Sequence, residues 1–177
     1  MPNWEFLGES TLGSAGDSIN VPDLTPKTNL SVFVYTIRSG NCLPQVQLNG
    51  DTNTNYTWAG ENNFSGTRAT SGGAINSFYA YTDNQFNQYA NFQISNVADQ
   101  YKMINIISVS PSAEASSNTP NYRQGYATWF NDSDQVTRVN IINVESGNFG
   151  VGSFCAVFGC DWMFNYINMG YFAWLGK

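Results

Sequence analysis

Short runs of β-branched and aromatic residues, each closed by Gly, Asn, Asp, Ser or Pro, follow one another along this chain, and no stretch offers three helical turns with caps. That pattern restricts the fold to the all-β class. The runs are Leu30–Arg38 (LSVFVYTIR), Gln45–Asn49 (QVQLN), Asn91–Asn96 (NFQISN), Lys102–Ser110 (KMINIISVS), Gln135–Val144 (QVTRVNIINV) and Ser153–Gly159 (SFCAVFG). Their spacing is the signature of a single-domain sandwich or barrel. In the first run Val32, Val34 and Thr36 point one way and Phe33, Tyr35 and Ile37 the other, so the strand is expected to be covered on two sides. Val136, Val139, Ile141 and Ile142 mix alternation with a doublet that predicts a bulge. Asn96–Met103 has room for one short turn.

The chain has 177 residues, enough for one domain with a sizeable core. Only 11% of them are charged while 15% are aromatic, against about 25% charged in an average soluble domain. Polarity therefore rests on neutral amides and hydroxyls, a surface suited to protein–protein packing, where charges are costly to desolvate. The net charge is −6, and Lys27, Arg38, Arg68, Lys102, Arg123, Arg138 and Lys177 stand singly. Without clustered cations there is no footprint for nucleic acid or for an anionic membrane. The opening MPNWEFLGES has neither a basic n-region nor an apolar h-region, so folding in a cytoplasm is expected.

Gly16-Asp17-Ser18 matches the tripeptide that opens the nucleophile block of a class of serine esterases. Such an enzyme needs a base to take the serine proton, and in that class the base is His. This chain has no His, and its nearest lysine, Lys27, lies in a turn-like LTPKTN. The tripeptide is therefore read as a tight turn from which Ser18 starts a strand. The missing His also removes the commonest zinc sites, and Cys155-x4-Cys160 is too wide for a knuckle, which leaves Cys42, Cys155 and Cys160 as small buried residues. Asp51-Thr-Asn53-Thr-Asn55 copies the first half of a calcium loop, but Tyr56 replaces the turn glycine and Asn62 the closing Glu. A polar hairpin is the favoured reading; a weak calcium site there, or at Asn131-Asp132-Ser133-Asp134, is the alternative. No motif marks a pair of acids for glycoside cleavage. A chain without catalytic residues, metal or cofactor is expected.

Four segments are candidates for contact. Asn62–Gly73 and Ser110–Gln124 are long, small-residue polar loops. Phe78, Tyr79, Tyr81, Phe86, Tyr89 and Phe92 form an aromatic stretch, read first as core and inter-subunit packing and second as a platform for sugars. The tail carries Phe164, Tyr166, Ile167, Met169, Tyr171, Phe172, Trp174 and Leu175. Exposed apolar residues at that density mark an interaction surface, so the chain is divided into a sandwich over 1–162 and an apolar partner-binding arm over 163–177; the alternative is that the tail folds back as an extra strand or cover.

In their order, LGESTLGSAGDSINVPDLTPKTNLSVFVYTIRSG, VQLNGDTNTNYTW and VTRVNIINVESGNFGVGSFCAVFG resemble a group of small tailed-phage virion structural proteins. The likeness covers most of residues 4–160, is weakest over Ser71–Phe92, and lies in order and spacing rather than in one motif. Gly50-Asp51 and Asn55-Tyr56 fall on the group's NgD...NY positions, and Gly147 and Gly152 on the glycines of its closing motif. Gln47 stands where the group has Arg, and Leu48 where it has an aromatic. The resemblance implies a β-sandwich of jelly-roll type in a capsid decoration protein or a tail appendage. The first expectation is a non-enzymatic cement protein of the virion, assembled in the host cytoplasm, that bridges major capsid protein or other virion subunits as a homo-oligomer, with a trimer favoured. The alternative is a tail fibre or spike-associated module that binds a host-surface glycan.

Overall fold

The computed structural model describes residues 3–62, 68–75, 77–79, 87–111 and 120–161, with backbone alone at 62, 68–75 and 78–79. Among these residues there is no helix. The strands are β1 (Glu5–Thr11), β2 (Ser18–Val21), β3 (Asn29–Thr36), β4 (Arg38–Ser39), β5 (Pro44–Leu48), β6 (Tyr56–Asn62) and β7 (Arg68–Ile75), then β8 (Phe78–Tyr79), β9 (Gln88–Ser95), β10 (Lys102–Ser110), β11 (Asn121–Trp129), β12 (Val139–Asn143), β13 (Asn148–Phe149) and β14 (Phe154–Cys160). Eight of them form a large antiparallel sheet in the order β1-β14-β3-β9-β10-β11-β6-β7. A four-stranded sheet runs β2-β12-β5-β8, and β13 pairs with β4.

Period-2 alternation sets the layers. On β10, Ile104 and Ile106 turn inward while Met103, Asn105, Ile107 and Val109 face out. Val32, Phe92, Ile106 and Val157 of the large sheet share one core with Ile19, Val46, Leu48 and Ile141 of the small sheet. The all-β antiparallel architecture is the one the run spacing predicts.

Several details differ from the sequence expectation. Ile141 and Ile142 keep unbroken register with both neighbours, so no bulge forms; Ile141 enters the core and Ile142 leaves it. A register shift lies instead in β1, between Phe6 and Gly8. Asn96–Met103, by contrast, holds the short turn expected there, with Asp99 at φ 57°. The two long polar segments are shorter as loops: β7 takes up Arg68–Gly73, and β11 starts at Asn121.

Loops are tied by asparagine side chains standing in for backbone. Fully buried Asn96 donates to Lys27 O (2.9 Å) and Val136 O (3.3 Å) and accepts from Val136 N–H (2.6 Å). Asn49, left-handed at φ 54°, accepts from Thr137 and Arg138 N–H and donates to Gln135 O. Asn143 binds Leu43 and Glu145 N–H through its oxygen and Gly147 O through its amide. At the closing glycine motif a Cβ on Gly147 would lie 2.5 Å from both Asn41 N and O, so only glycine fits.

Candidate docking face

Among the described residues the outward side of the large sheet is an unusual surface. Register places its side chains in transverse rows. One row runs Phe6–Phe158–Ser31–Gln93–Asn105–Tyr126, the next Ala156–Phe33–Asn91–Ile107–Gln124, and the third Phe154–Tyr35–Tyr89–Val109–Tyr122. From β14 to β11 no outward side chain is charged; Glu9 on β1 and Glu61 on β6 flank this span. Ordinary solvated sheet faces carry charged residues at such positions.

The aromatic rings are organised. Phe158 meets Phe6 edge-on at 5.6 Å and Phe33 at 5.7 Å and 90°, and Tyr35 lies 6.1 Å from Phe154. Small Ser31 and Ala156 sit low between them, nearly buried by the larger neighbours. The result is a groove of about 690 Å³ with Ser31 and Ala156 as floor and Trp4, Phe33, Phe154 and Phe158 as walls. Its polar groups are partly spent on one another: Gln93 Nε2 donates to Ser31 Oγ (2.7 Å) and Asn91 Oδ1 (3.1 Å). A second depression of about 340 Å³ adjoins it, sharing Trp4 and Gln93 and reaching Met103 and Tyr126. Such a surface binds apolar groups by excluding water and orients them through a few amides.

Of the residues singled out from the sequence, Tyr89 lies on this face, and the catalytic and metal candidates among the described residues fall elsewhere. Ser18 starts β2 as expected, exposed and paired with Ile142. Gly16 is no tight turn: it exchanges two backbone bonds with Phe149, at 3.0 and 2.7 Å. Lys27 lies away from Ser18's strand in an ion cluster with Glu5 (3.0 Å) and Asp161 (3.3 Å). Hydrogen bonds to Glu5 and then Asp161 raise its pKa despite desolvation. Cys42, Cys155 and Cys160 are buried free thiols; burial pushes Cys155 up to about 12.

The calcium-like loop is a hydrogen-bonded plug. Asp51 accepts from Asn53 N–H (2.9 Å), Asn55 Nδ2 (2.9 Å) and the indole of buried Trp129 (2.8 Å). Desolvation pushes its pKa up, but these donors outweigh it and the carboxyl is lowered. Tyr56 stacks on Trp129 at 6.2 Å, and its hydroxyl accepts from Leu48 N–H. The NgD...NY residues thus join β5, β6 and β11. At the other calcium alternative Asn131 Oδ1 caps Ser133 and Asp134 N–H, while the Lys102 ammonium occupies Asn131 O (3.2 Å). Desolvation lowers the Lys102 pKa against the pull of Asp132, Asp134 and Asp99. Among the described residues no group of three potential metal ligands gathers.

Only part of the aromatic stretch is described. Phe92 is core, Tyr89 faces out, Phe78 and Tyr79 lie on β8, and Tyr81 and Phe86 are outside the described residues. So are the eight arm residues from Phe164 to Leu175 and the loop parts 63–67 and 112–119. The docking-face residues Phe6, Met103, Ile107 and Tyr126 were not singled out from the sequence. The signal that points to them is the second apolar face of Leu30–Arg38, repeated in Lys102–Ser110. Comparison with protein-family models finds no match, and neither does comparison with curated proteins.

Proposed function

We propose that this chain is a non-enzymatic structural protein of a tailed-phage virion, a capsid decoration protein that stabilises the head by bridging capsid subunits. The observation that carries this reading is the charge-free outward face from β14 to β11, a surface built for burial against protein. The reading places the protein in the virion as a homo-oligomer, trimer favoured, with major capsid protein or other virion proteins as partners and the residues after Asp161 adding apolar contact. A jelly-roll connection pattern is supported by the way the chain alternates between sheets, from β1 to β2 to β3 and again from β11 to β12 to β14. The lack of His supports a role without catalysis.

A second reading is favoured by exposed Tyr89 and Tyr126 standing among Gln93, Asn105 and Gln124, a ring-and-amide mix that suits sugars. In it the protein is a tail fibre or spike-associated module that binds a host-surface glycan. Copy number separates the two. Hundreds of copies per particle, with binding of purified protein to bare heads, supports decoration; a few tens with a glycan-array signal supports the tail module.

A further inference from the structure

We propose that the groove over Ser31 and Ala156 receives a large apolar side chain of the partner protein, set beside a basic residue of that partner which pairs with Glu9. The inference rests on the reading of this face as a protein-docking surface and deepens it by naming the chemistry of what docks. Three observations carry it.

The first is shape. Ser31 pairs with Phe158 and Ala156 with Phe33 across the β3–β14 ladder, so the two small residues lie on a diagonal with rings on both sides. Phe158, Phe33, Phe154 and Trp4 rise around it and leave the groove of about 690 Å³. Interface hot spots are anchors of this kind, a large side chain filling a desolvated pocket. The second is the charge pattern. Register aligns one row as Glu9–Ala156–Phe33–Asn91–Ile107–Gln124–Glu61 across seven strands. Between the two acids the row is uncharged, and they stand about 29 Å apart at the usual strand spacing. Glu9 is exposed and directly opposite Ala156, which sets its Cβ about 5 Å from that of the groove floor. It enters no ion pair among the described residues. A carboxylate at the mouth of an apolar groove selects an occupant that carries a cation next to its apolar group. The same pattern argues against a second copy of this chain. Stacking two such faces about a two-fold axis brings Glu9 onto Glu9 or Glu61, between molecules that each carry −6. The third is hydrogen bonding. The Ser31 hydroxyl already accepts from Gln93 (2.7 Å) and Asn91 (3.2 Å), and Asn91 Oδ1 accepts from Gln93 (3.1 Å). With these groups engaged, the floor suits an apolar side chain better than a sugar, whose buried hydroxyls need partners.

The test titrates the isotope-labelled full chain with two capped peptides, acetyl-Trp-Ala-Lys-amide and acetyl-Trp-Ala-Glu-amide. The lysine peptide is expected to shift the ring resonances of Phe33 and Phe158 saturably. The glutamate peptide should bind about two- to fivefold more weakly, the worth of an exposed ion pair. In Glu9→Gln, an exposed position whose change leaves the fold intact, the two peptides should bind alike. In Ala156→Arg, which fills the floor with a charge, the ring shifts should vanish. Equal affinity of the two peptides for the parent, shifts confined to other residues, or ring shifts with lactose and with neither peptide would overturn the proposal. Binding of the parent to bare heads reports on the virion reading separately. Peptides that bind as stated, with heads that do not, support the groove's chemistry and sink that reading. Heads that take up the parent, Glu9→Gln and Ala156→Arg equally well overturn the groove assignment and leave the reading standing.

Discussion

Asn96→Ala is expected to be one of the most damaging single substitutions in this protein, although it lies outside the hydrophobic core proper. The side chain is fully buried and makes three hydrogen bonds, two to Val136 backbone and one to Lys27 O. A net bond is worth about 1 kcal/mol, and a buried donor left orphaned costs about 1–3 kcal/mol. Val136 is itself fully buried, so its N–H has no water to turn to. The combined loss is about 3–4 kcal/mol, against total stabilities of about 5–15 kcal/mol for such domains. For a domain of this size each kcal/mol moves Tm by about 2–4 °C, so a fall of about 6–16 °C is expected. Urea titration followed by tryptophan fluorescence should show a lower midpoint at unchanged m-value. Asn96→Asp keeps the acceptor for Val136 N–H but turns an oxygen toward Lys27 O and Val136 O. That repulsion raises the folded-state pKa of the new carboxyl. Its variant is therefore least impaired below about pH 4, and loses stability as pH rises through the raised value. A loss below about 1 kcal/mol for Asn96→Ala, or a pH-independent Asn96→Asp, refutes the reasoning.

Asp51→Asn is expected to cost about 1–2 kcal/mol at pH 7, a charge-assisted bond energy discounted for partial exposure. The lowered Asp51 pKa stabilises the fold above the ordinary carboxylate range and ceases to do so as pH falls through the lowered value, so the variant's acid limb should be flatter below the ordinary carboxylate range. Added calcium should leave the parent's Tm unmoved in a thermal scan; a rise of several degrees would reinstate an ion at that loop. Gly147→Ala should destabilise by about 2 kcal/mol or more, since the new methyl meets Asn41 backbone atoms, and calorimetry is the check. The three thiols should react with a colorimetric disulfide reagent only on unfolding, slowest of all at Cys155, and rapid native-state labelling would contradict their burial.

The parts of this fold that sequence reveals are those where alternation and hydrophobicity coincide. Lys102–Ser110 is β10 to the residue, because every second side chain enters the core. β1 and β11 escape that reading: EFLGEST and NYRQGYATW carry Glu, Arg, Gln and Gly at strand positions, and cross-strand partners rather than propensity hold them. The bulge assigned to Ile141-Ile142 fails because an apolar residue there can face outward under neighbouring cover. The docking face was half legible. Phe33 and Tyr35 announce a second apolar side, but its extent depends on which strands lie beside β3, and register between residues over a hundred positions apart is invisible to local pattern. The plug at Asp51 was legible only as a failed calcium loop, since its decisive donor, Trp129, comes from another strand.

The placement of β14 between β1 and β3 has a consequence for how the protein is made. β14 is the last strand described, yet it fills the slot between two of the earliest. Thr28 and Cys160, bonded across this junction, are 132 positions apart. At synthesis rates of about 5–20 residues per second, β3 leaves the ribosome roughly 7–26 s before its partner exists. During that interval one edge of β3 is an open template, and its Phe33 and Tyr35 have neither Phe158 nor Phe154 beside them. The sheet closes after nearly all of its strands have emerged, a non-local pairing of the slow-folding kind. Until β14 emerges, that open edge can pair with another copy as readily as with its own last strand.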